Sequence, residues 1–181
     1  MKTINEVLAL FPGTTEAQWK QHANGKGWIF ETAYAGLSTF IEGIVYGDAR
    51  VSGNARVYGD AQVSGNAQVY GDAWVYGNAW VSGDTWVYGN AQVSGNAWVS
   101  GDTWVSSPLY IQGTRHALTL CSFTEIAIGC HVHSIAFWQK EGRKIGNKEG
   151  YSIAEINEYI QYITLFAAAA KALSKAANKL G

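Results

Sequence analysis

Charge is scarce in this chain. Lys, Arg, Asp and Glu make up 15% of its 181 residues, and the net charge is −1. That excludes the basic excess of a nucleic-acid-binding surface and a polybasic membrane patch. Cysteine is scarcer: Cys121 and Cys130 are the only two, too few for a disulfide framework. They read as reduced thiols of a cytosolic protein before they read as a bridge. Two prolines against 21 glycines exclude a collagen-like or a Pro-rich disordered chain. Long apolar runs are missing too. The longest, residues 163–170 with Thr164 inside it, is too short to span a bilayer. Polar residues interrupt the first six positions too early for the apolar core of a secretory signal. The expectation is a soluble, cytoplasmic protein.

What is present is a repeat. From Val45 the sequence reads VYGDAR VSGNAR VYGDAQ VSGNAQ VYGDAW VYGNAW VSGDTW VYGNAQ VSGNAW VSGDTW, ten hexads ending at Trp104, with Val105 next. Val opens every hexad, Gly is third, Asp or Asn fourth, and Ala fifth except at Thr85 and Thr103. Side chains of a strand alternate between faces, so the fifth-position Ala and the Val two residues on point one way. The residues between and after them point the other way. Gly with Asp or Asn supplies a corner, because these residues tolerate positive φ. A corner every six residues makes a three-sided coil of three hexads. Val45, Val63, Val81 and Val99 then stack in one column, about 4.8 Å apart. Each buried Val contributes roughly 1.5–3 kcal/mol, and no hexad folds alone although the stack does.

This period fixes what faces out. One side carries Arg50, Ser52, Gln68, Tyr70, Trp86, Tyr88, Trp104 and Ser106. A second carries Arg56, Tyr58, Trp74, Tyr76, Gln92 and Ser94. The third carries Gln62, Ser64, Trp80, Ser82, Trp98 and Ser100. Five outward Trp amount to roughly 750–1,250 Å² of aromatic surface, more than a soluble monomer leaves in contact with water. Trp74, Trp80, Trp86, Trp98 and Trp104, with Tyr70, Tyr76, Tyr88, Arg50 and Arg56, are therefore the candidate binding or oligomer-interface residues. Either copies of the chain or its own C-terminal helix cover them, or they hold a ligand or partner. Trp and Tyr anchor interfaces and stack on nucleobases.

The flanks read differently. Thr3-x-x-Glu6 is a capping box opening a short helix that Pro12-Gly13 ends. A second short helix is expected from Thr15 to about His22, before Asn24-Gly25 turns the chain into residues 27–30. Residues 33–35 and 39–41 look like two degenerate hexads, and the four-residue step from Ile41 to Val45 breaks their register. The N-terminal segments would cap the unpaired edge of the first coil. After Pro108, residues 117–121 and 125–130 read as strands, and Ser134 to about Asn147 has helical spacing. Ser152-x-x-Glu155 opens a long helix with Ile153, Ile156, Ile160 and Ile163 on one side. Lys171, Lys175 and Lys179 form a solvated stripe near its end.

Chemistry has few carriers. General base catalysis needs a group titrating near neutrality within reach of its proton, and the hexads contain no His, Lys or Cys. His116, Cys130, His131 and His133, with Cys121, read as packing residues. A zinc site or a Cys–His nucleophile pair is the alternative, and the spacing lacks paired CxxC ligands. The columns of Asp and Asn, such as Asp48, Asn66, Asp84 and Asp102, suit turns. Calcium binding is the alternative there.

From about Ala33 to Val105 the pattern resembles the left-handed parallel β-helix of hexapeptide-repeat proteins, and the handedness comes from that resemblance alone. It implies a parallel trimer with clefts between neighbouring prisms that hold nucleotide-bearing ligands. Its best-known members are acyltransferases with a His near the subunit interface and a long loop over the active site. Both are missing here. The layout also resembles phage and prophage proteins in which V-x-G-[DN]-A hexads precede an Ile-Gly-Cys element and a paired-helix tail. The matching residues are Gly27-Trp28, Ile128-Gly129-Cys130, Ser134-Ile135, Trp138, Ile145-Gly146, Gly150-Tyr151-Ser152 and Glu155-Ile156.

The expected fold is mainly β. Residues 1–32 form a helical cap, 33–107 a left-handed parallel β-helix (a hexapeptide solenoid), and 108–181 an α+β appendage ending in a long helix. The expected function is non-catalytic binding by a homo-oligomer, a trimer, with no cofactor, metal, membrane or nucleic-acid partner. A phage accessory role in the host cytoplasm would capture a small nucleotide or block a host protein. The rivals are an acyl-coenzyme A-dependent acyltransferase and a self-assembling structural protein.

Overall fold

A computed structural model describes residues 1–101, 103–104 and 107–177. Asp102, Val105, Ser106 and Lys179, all named above, lie outside the described residues. The chain forms two compact units, one built on the hexads and one on the residues from Pro108 onward.

The first unit is a parallel β-solenoid of about four turns. Its strands are two or three residues long and pair with the strand one coil later. In one sheet Trp28 pairs with Ile44, Ile44 with Gln62, and Gln62 with Trp80. In the second Tyr34 pairs with Arg50, Arg50 with Gln68, and Gln68 with Trp86. In the third Phe40 pairs with Arg56, Arg56 with Trp74, and Trp74 with Gln92. From Arg50 onward these partners are 18 residues apart, as the hexads require. The two degenerate hexads join the second and third sheets, but their partners are 16 apart. The shortened step at Glu42-Gly43 removes two residues from the first coil. Gly43 permits this, because a Cβ there would lie 2.2 Å from the Ala61 carbonyl oxygen of the next coil.

The inside is apolar. Ala49, Val51, Ala55, Val57, Ala61 and Val63 have no exposed surface, and the pattern continues to Val87. At Thr85, which replaces Ala, the hydroxyl donates to the Ser82 carbonyl at 2.6 Å, so its burial leaves no donor unpaired. The corners need glycine twice over. Gly65 has φ +64, and a Cβ on it would sit 2.8 Å from the Gly83 nitrogen. Beside them run polar ladders: Asn54 donates to Asp72 at 3.1 Å, Asn66 to Asp84 at 2.8 Å, and Asn78 to Asn96 at 3.1 Å. In two of these ladders the amide binds a carboxylate, and in the third it binds another amide.

The N-terminal segment covers the first coil. Helix α1, Ile4–Leu10, starts at the Thr3–Glu6 capping box. Its Val7 packs with Trp19 and Ile44, joined by Trp28, Phe30 and Tyr46. The helix thus shields the outer face of the first sheet's early coils, and the Trp28 indole donates to the Lys2 carbonyl at 2.7 Å. The second expected helix is not there. Residues Glu16–Gln18 make one 3₁₀ turn, and Trp19–Gln21 is a strand antiparallel to Trp28–Phe30. The free edge of Trp28–Phe30 offered backbone partners that a short isolated helix could not match.

In the second unit Tyr110–Gln112, Ala117–Leu120, Glu125–Ile128 and His131–Ser134 form an antiparallel sheet in that order. Helix α2 (Ile135–Lys148) begins at Ser134, whose Oγ accepts from the Phe137 amide, and α3 (Ile153–Ala177) packs against it. Gly142 and Gly146 let the helices approach: a Cβ on Gly146 would lie 2.8 Å from Ile156. Ser152 and Glu155 form the expected capping box. Ile156 and Ile163 are buried, whereas Ile153, in the first turn of α3, is 78% exposed. Among the described residues no helix is long and apolar enough to cross a membrane.

Candidate functional site

Each sheet of the solenoid projects its large outward residues in a column, because residues one coil apart stand in register. Trp74, Trp80 and Trp86 are 40%, 39% and 45% exposed, as the alternation requires. Trp98 is half-buried.

Trp104 is the exception. Expected outside, it is 1% exposed, one of the largest fully buried side chains. In the ladder Thr103 pairs with Trp86, and Trp104 pairs with Val87. The last strand has slipped by one residue, which turns Trp104 to the opposite face. The indole therefore fills the interior that the final coil would leave open.

The third sheet carries the most developed surface. Phe40, Tyr58 and Trp74 climb it in succession, with ring centres 5.0 and then 6.1 Å apart. The Arg56 guanidinium lies 5.5 Å from the Trp74 ring centre and donates to the Tyr58 hydroxyl at 2.8 Å. A cation so placed is held by the ring quadrupole and by a hydrogen bond. Tyr76 donates to Gln92 at 3.3 Å. Beside this column lies an open groove of about 770 Å³. The sheet residues Phe40, Arg56, Trp74 and Gln92 line it, together with the turn residues Asn24, Ser38, Asn54, Asp72 and Asn90.

Of the candidate residues, Arg56 and Trp74 are thus brought together in one groove. Phe40 and the polar corner residues were not among the candidates. The signal for Phe40 was its degenerate hexad, once the first coil is read as 16 residues.

The other candidates lie on different faces. On the second sheet Tyr70 and Tyr88 stack with ring centres 4.9 Å apart and planes within 2°. Burial, and then the neighbouring Tyr88, push the Tyr70 hydroxyl above its ordinary pKa. Arg50 lies 5.7 Å from the Tyr34 ring centre. On the first sheet Trp80 donates to Ser64 at 3.0 Å.

The two cysteines and three of the four histidines, His116, His131 and His133, lie beyond the hexads in the chain. Both cysteines are free thiols. Cys121 is buried, and that burial pushes its pKa up to about 12, so it is a protonated packing residue. His133 is wedged against Phe137 and Trp138, with ring centres 4.2 and 5.3 Å away. Among the described residues no three His, Cys, Asp or Glu side chains are placed to hold a metal.

Residues 45–59, 49–65, 61–76, 67–83, 73–89 and 91–107 match the family model described as YdcK beta solenoid repeat. These matches coincide with the hexads. No curated protein and no solved structure matches the chain.

Proposed function

We propose that this β-solenoid repeat protein, whose hexads are of the YdcK type, is a non-catalytic binding protein that holds a ring-bearing ligand of nucleotide type in the groove of its third sheet. The observation that carries this reading is the placement of Arg56 beside Trp74, with Phe40 and Tyr58 below them, along a groove of about 770 Å³. A cleft of that size falls in the range of small-molecule sites. Aromatic faces stack on bases, each worth about 1–3 kcal/mol. The guanidinium suits a phosphate oxygen, and the amides of Asn54 and Asn90 offer donors and acceptors to base edges.

Self-association is the second part of the proposal. Trp80 and Trp86 stand on the other two faces and remain about two-fifths exposed. Burying them against copies of the chain removes an apolar surface that water disfavours. The hexapeptide resemblance suggests a trimer. The resemblance to phage hexad proteins suggests the setting: an accessory factor in a host cytoplasm that captures a nucleotide messenger of host defence or blocks a host protein.

An acyltransferase reading is less favoured. The hexads have no His, Lys or Cys. His22, at the first coil, is buried with Nδ1 against Asn24 and Nε2 3.1 Å from the Gly36 carbonyl oxygen.

Purified protein incubated with mononucleotides and cyclic dinucleotides, then freed of unbound material, should retain a nucleotide identifiable by mass spectrometry. Light scattering should give a fixed mass over concentration, where an open filament would grow. Retention of none removes the ligand reading. Thiol release from acyl-coenzyme A that His131→Ala or His133→Ala abolishes would establish the transferase instead.

A further inference from the structure

The second unit holds a cavity that the solenoid reading does not use. It measures about 210 Å³ and lies between α2, α3 and the sheet. Its floor is apolar: Trp138, Ile145, Ile156, Ile160 and Ile163 line it, with Ile128 from the sheet. Its rim is polar and carries Arg115, His116, His131 and Glu149 beside Cys130 and Tyr151.

The rim is built, and its parts are fixed from several sides. The Arg115 guanidinium lies 4.4 Å from the Tyr151 ring centre, and its Nη1 donates to the Gly150 carbonyl at 3.1 Å. Among the described residues that is the guanidinium's one hydrogen bond, so other N–H groups of its five are left to donate. The loop bearing Arg115 is tied to α3. The Tyr159 hydroxyl accepts from the Arg115 and His116 amides at 3.0 and 2.6 Å and donates to the His116 carbonyl at 2.8 Å. Thr114 donates to Glu158 through both its amide and its hydroxyl. The Trp138 indole is anchored on the Ile126 carbonyl at 2.8 Å, which holds the floor.

We propose that this cavity binds a small carboxylic acid with an aromatic or branched apolar body, the body on the isoleucine and Trp138 floor and the carboxylate on Arg115. Size sets the body. An apolar cavity of about 150 Å³ takes benzene, so this one takes a ring with a short side chain. Charge sets the head. A guanidinium held by one edge presents the other to a carboxylate, and such charge-assisted bonds are roughly twice as strong as neutral ones. Glu149 on the same rim would receive an ammonium, so an amino acid and its deaminated acid share the required chemistry. The site is independent of the solenoid groove, and neither proposal falls with the other.

The test uses the full chain and four probes: 3-phenylpropionate, L-phenylalanine, phenethylamine and 3-phenylpropanol. Melting temperature and calorimetry report binding, since a ligand of the folded state raises stability with its concentration. The two carboxylates should bind, with the neutral alcohol and the amine each weaker by about tenfold or more. L-phenylalanine binding tighter than 3-phenylpropionate would assign the amino acid, and the reverse would assign the simple acid. Arg115→Gln should weaken the carboxylates by about tenfold and leave the alcohol unchanged. Gly142→Ala places a methyl 3.3 Å from the Ile163 side chain, retains the helix, and should weaken every probe. Absence of binding by both carboxylates, or binding that Arg115→Gln leaves unchanged, overturns the proposal.

Discussion

Trp104 stands in register with Val87, not with Trp86. The hexads that end in Trp86 and Trp104 are both VSGDTW, yet one indole faces outward and the other is buried. Local sequence cannot tell them apart. What differs is the neighbour: Trp86 has a coil on either side, while Trp104 ends the stack, where an open apolar interior offers an indole more than the surface does.

Truncating the two indoles should therefore have unequal effects. Trp104→Ala should cost about 3–5 kcal/mol, as large-to-small changes in a core do. Trp86→Ala in the unassociated chain should stay within about 0.5 kcal/mol, as surface changes do. Urea unfolding followed by far-UV circular dichroism separates them.

Most of the solenoid was legible because its period is short and each hexad position has one physical job. Val faced in and Gly turned, from Val45 to Val87, as the alternation dictates. The degenerate hexads at Tyr34 and Phe40 were legible as strands too. Three features were not. The segment after Thr15 carries helix-start residues, but Trp19 found a hydrogen-bonding edge in Phe30, and tertiary pairing overrode propensity. The groove combines Phe40, Arg56 and Trp74 with Asn24, Ser38 and Asn54, and these meet only once the 16-residue first coil sets their alignment. The cavity rim around Arg115 depends on Tyr159, 44 residues away in the chain, which no spacing rule reveals.

The corner glycines supply a second comparison. Gly65 and Gly101 have nearly the same positive φ, +64 and +63, but a Cβ meets the Gly83 nitrogen at 2.8 Å only in the first case. Alanine at either position pays the left-handed cost of about 1–2 kcal/mol. Gly65→Ala adds a backbone collision and should lower the melting temperature by several degrees more than Gly101→Ala, at about 2–4 °C per kcal/mol.

Thiol chemistry should divide the cysteines. Cys130 is exposed and Cys121 buried, so one equivalent of a thiol reagent should react in the native protein and two after unfolding. The Cys121 pKa rises from 9.0 to about 12 on folding. Its contribution is complete below pH 9 and falls as the pH climbs from there towards 12. Cys121→Ala should flatten the loss of stability over that alkaline range, measured as the urea midpoint at successive pH values.

Acid acts through the helix caps. The Ser152 amide, then its hydroxyl, hold the Glu155 carboxyl below its ordinary pKa, and Thr3 does the same for Glu6. A lowered carboxylate stabilises the fold above its unfolded pKa and ceases to as the pH falls through the folded one. Glu155→Gln should therefore reduce the dependence of helical signal on pH below about 4.5, the ordinary carboxylate value.

Calorimetric titration of nucleotides into the wild type, Arg56→Ala, Trp74→Ala and Trp86→Ala tests the third sheet as a ring-stacking groove most directly. Saturable binding should weaken about tenfold or more in the first two variants and change less than about twofold in Trp86→Ala. No saturable binding to the wild type, or equal binding by Trp74→Ala, would contradict it.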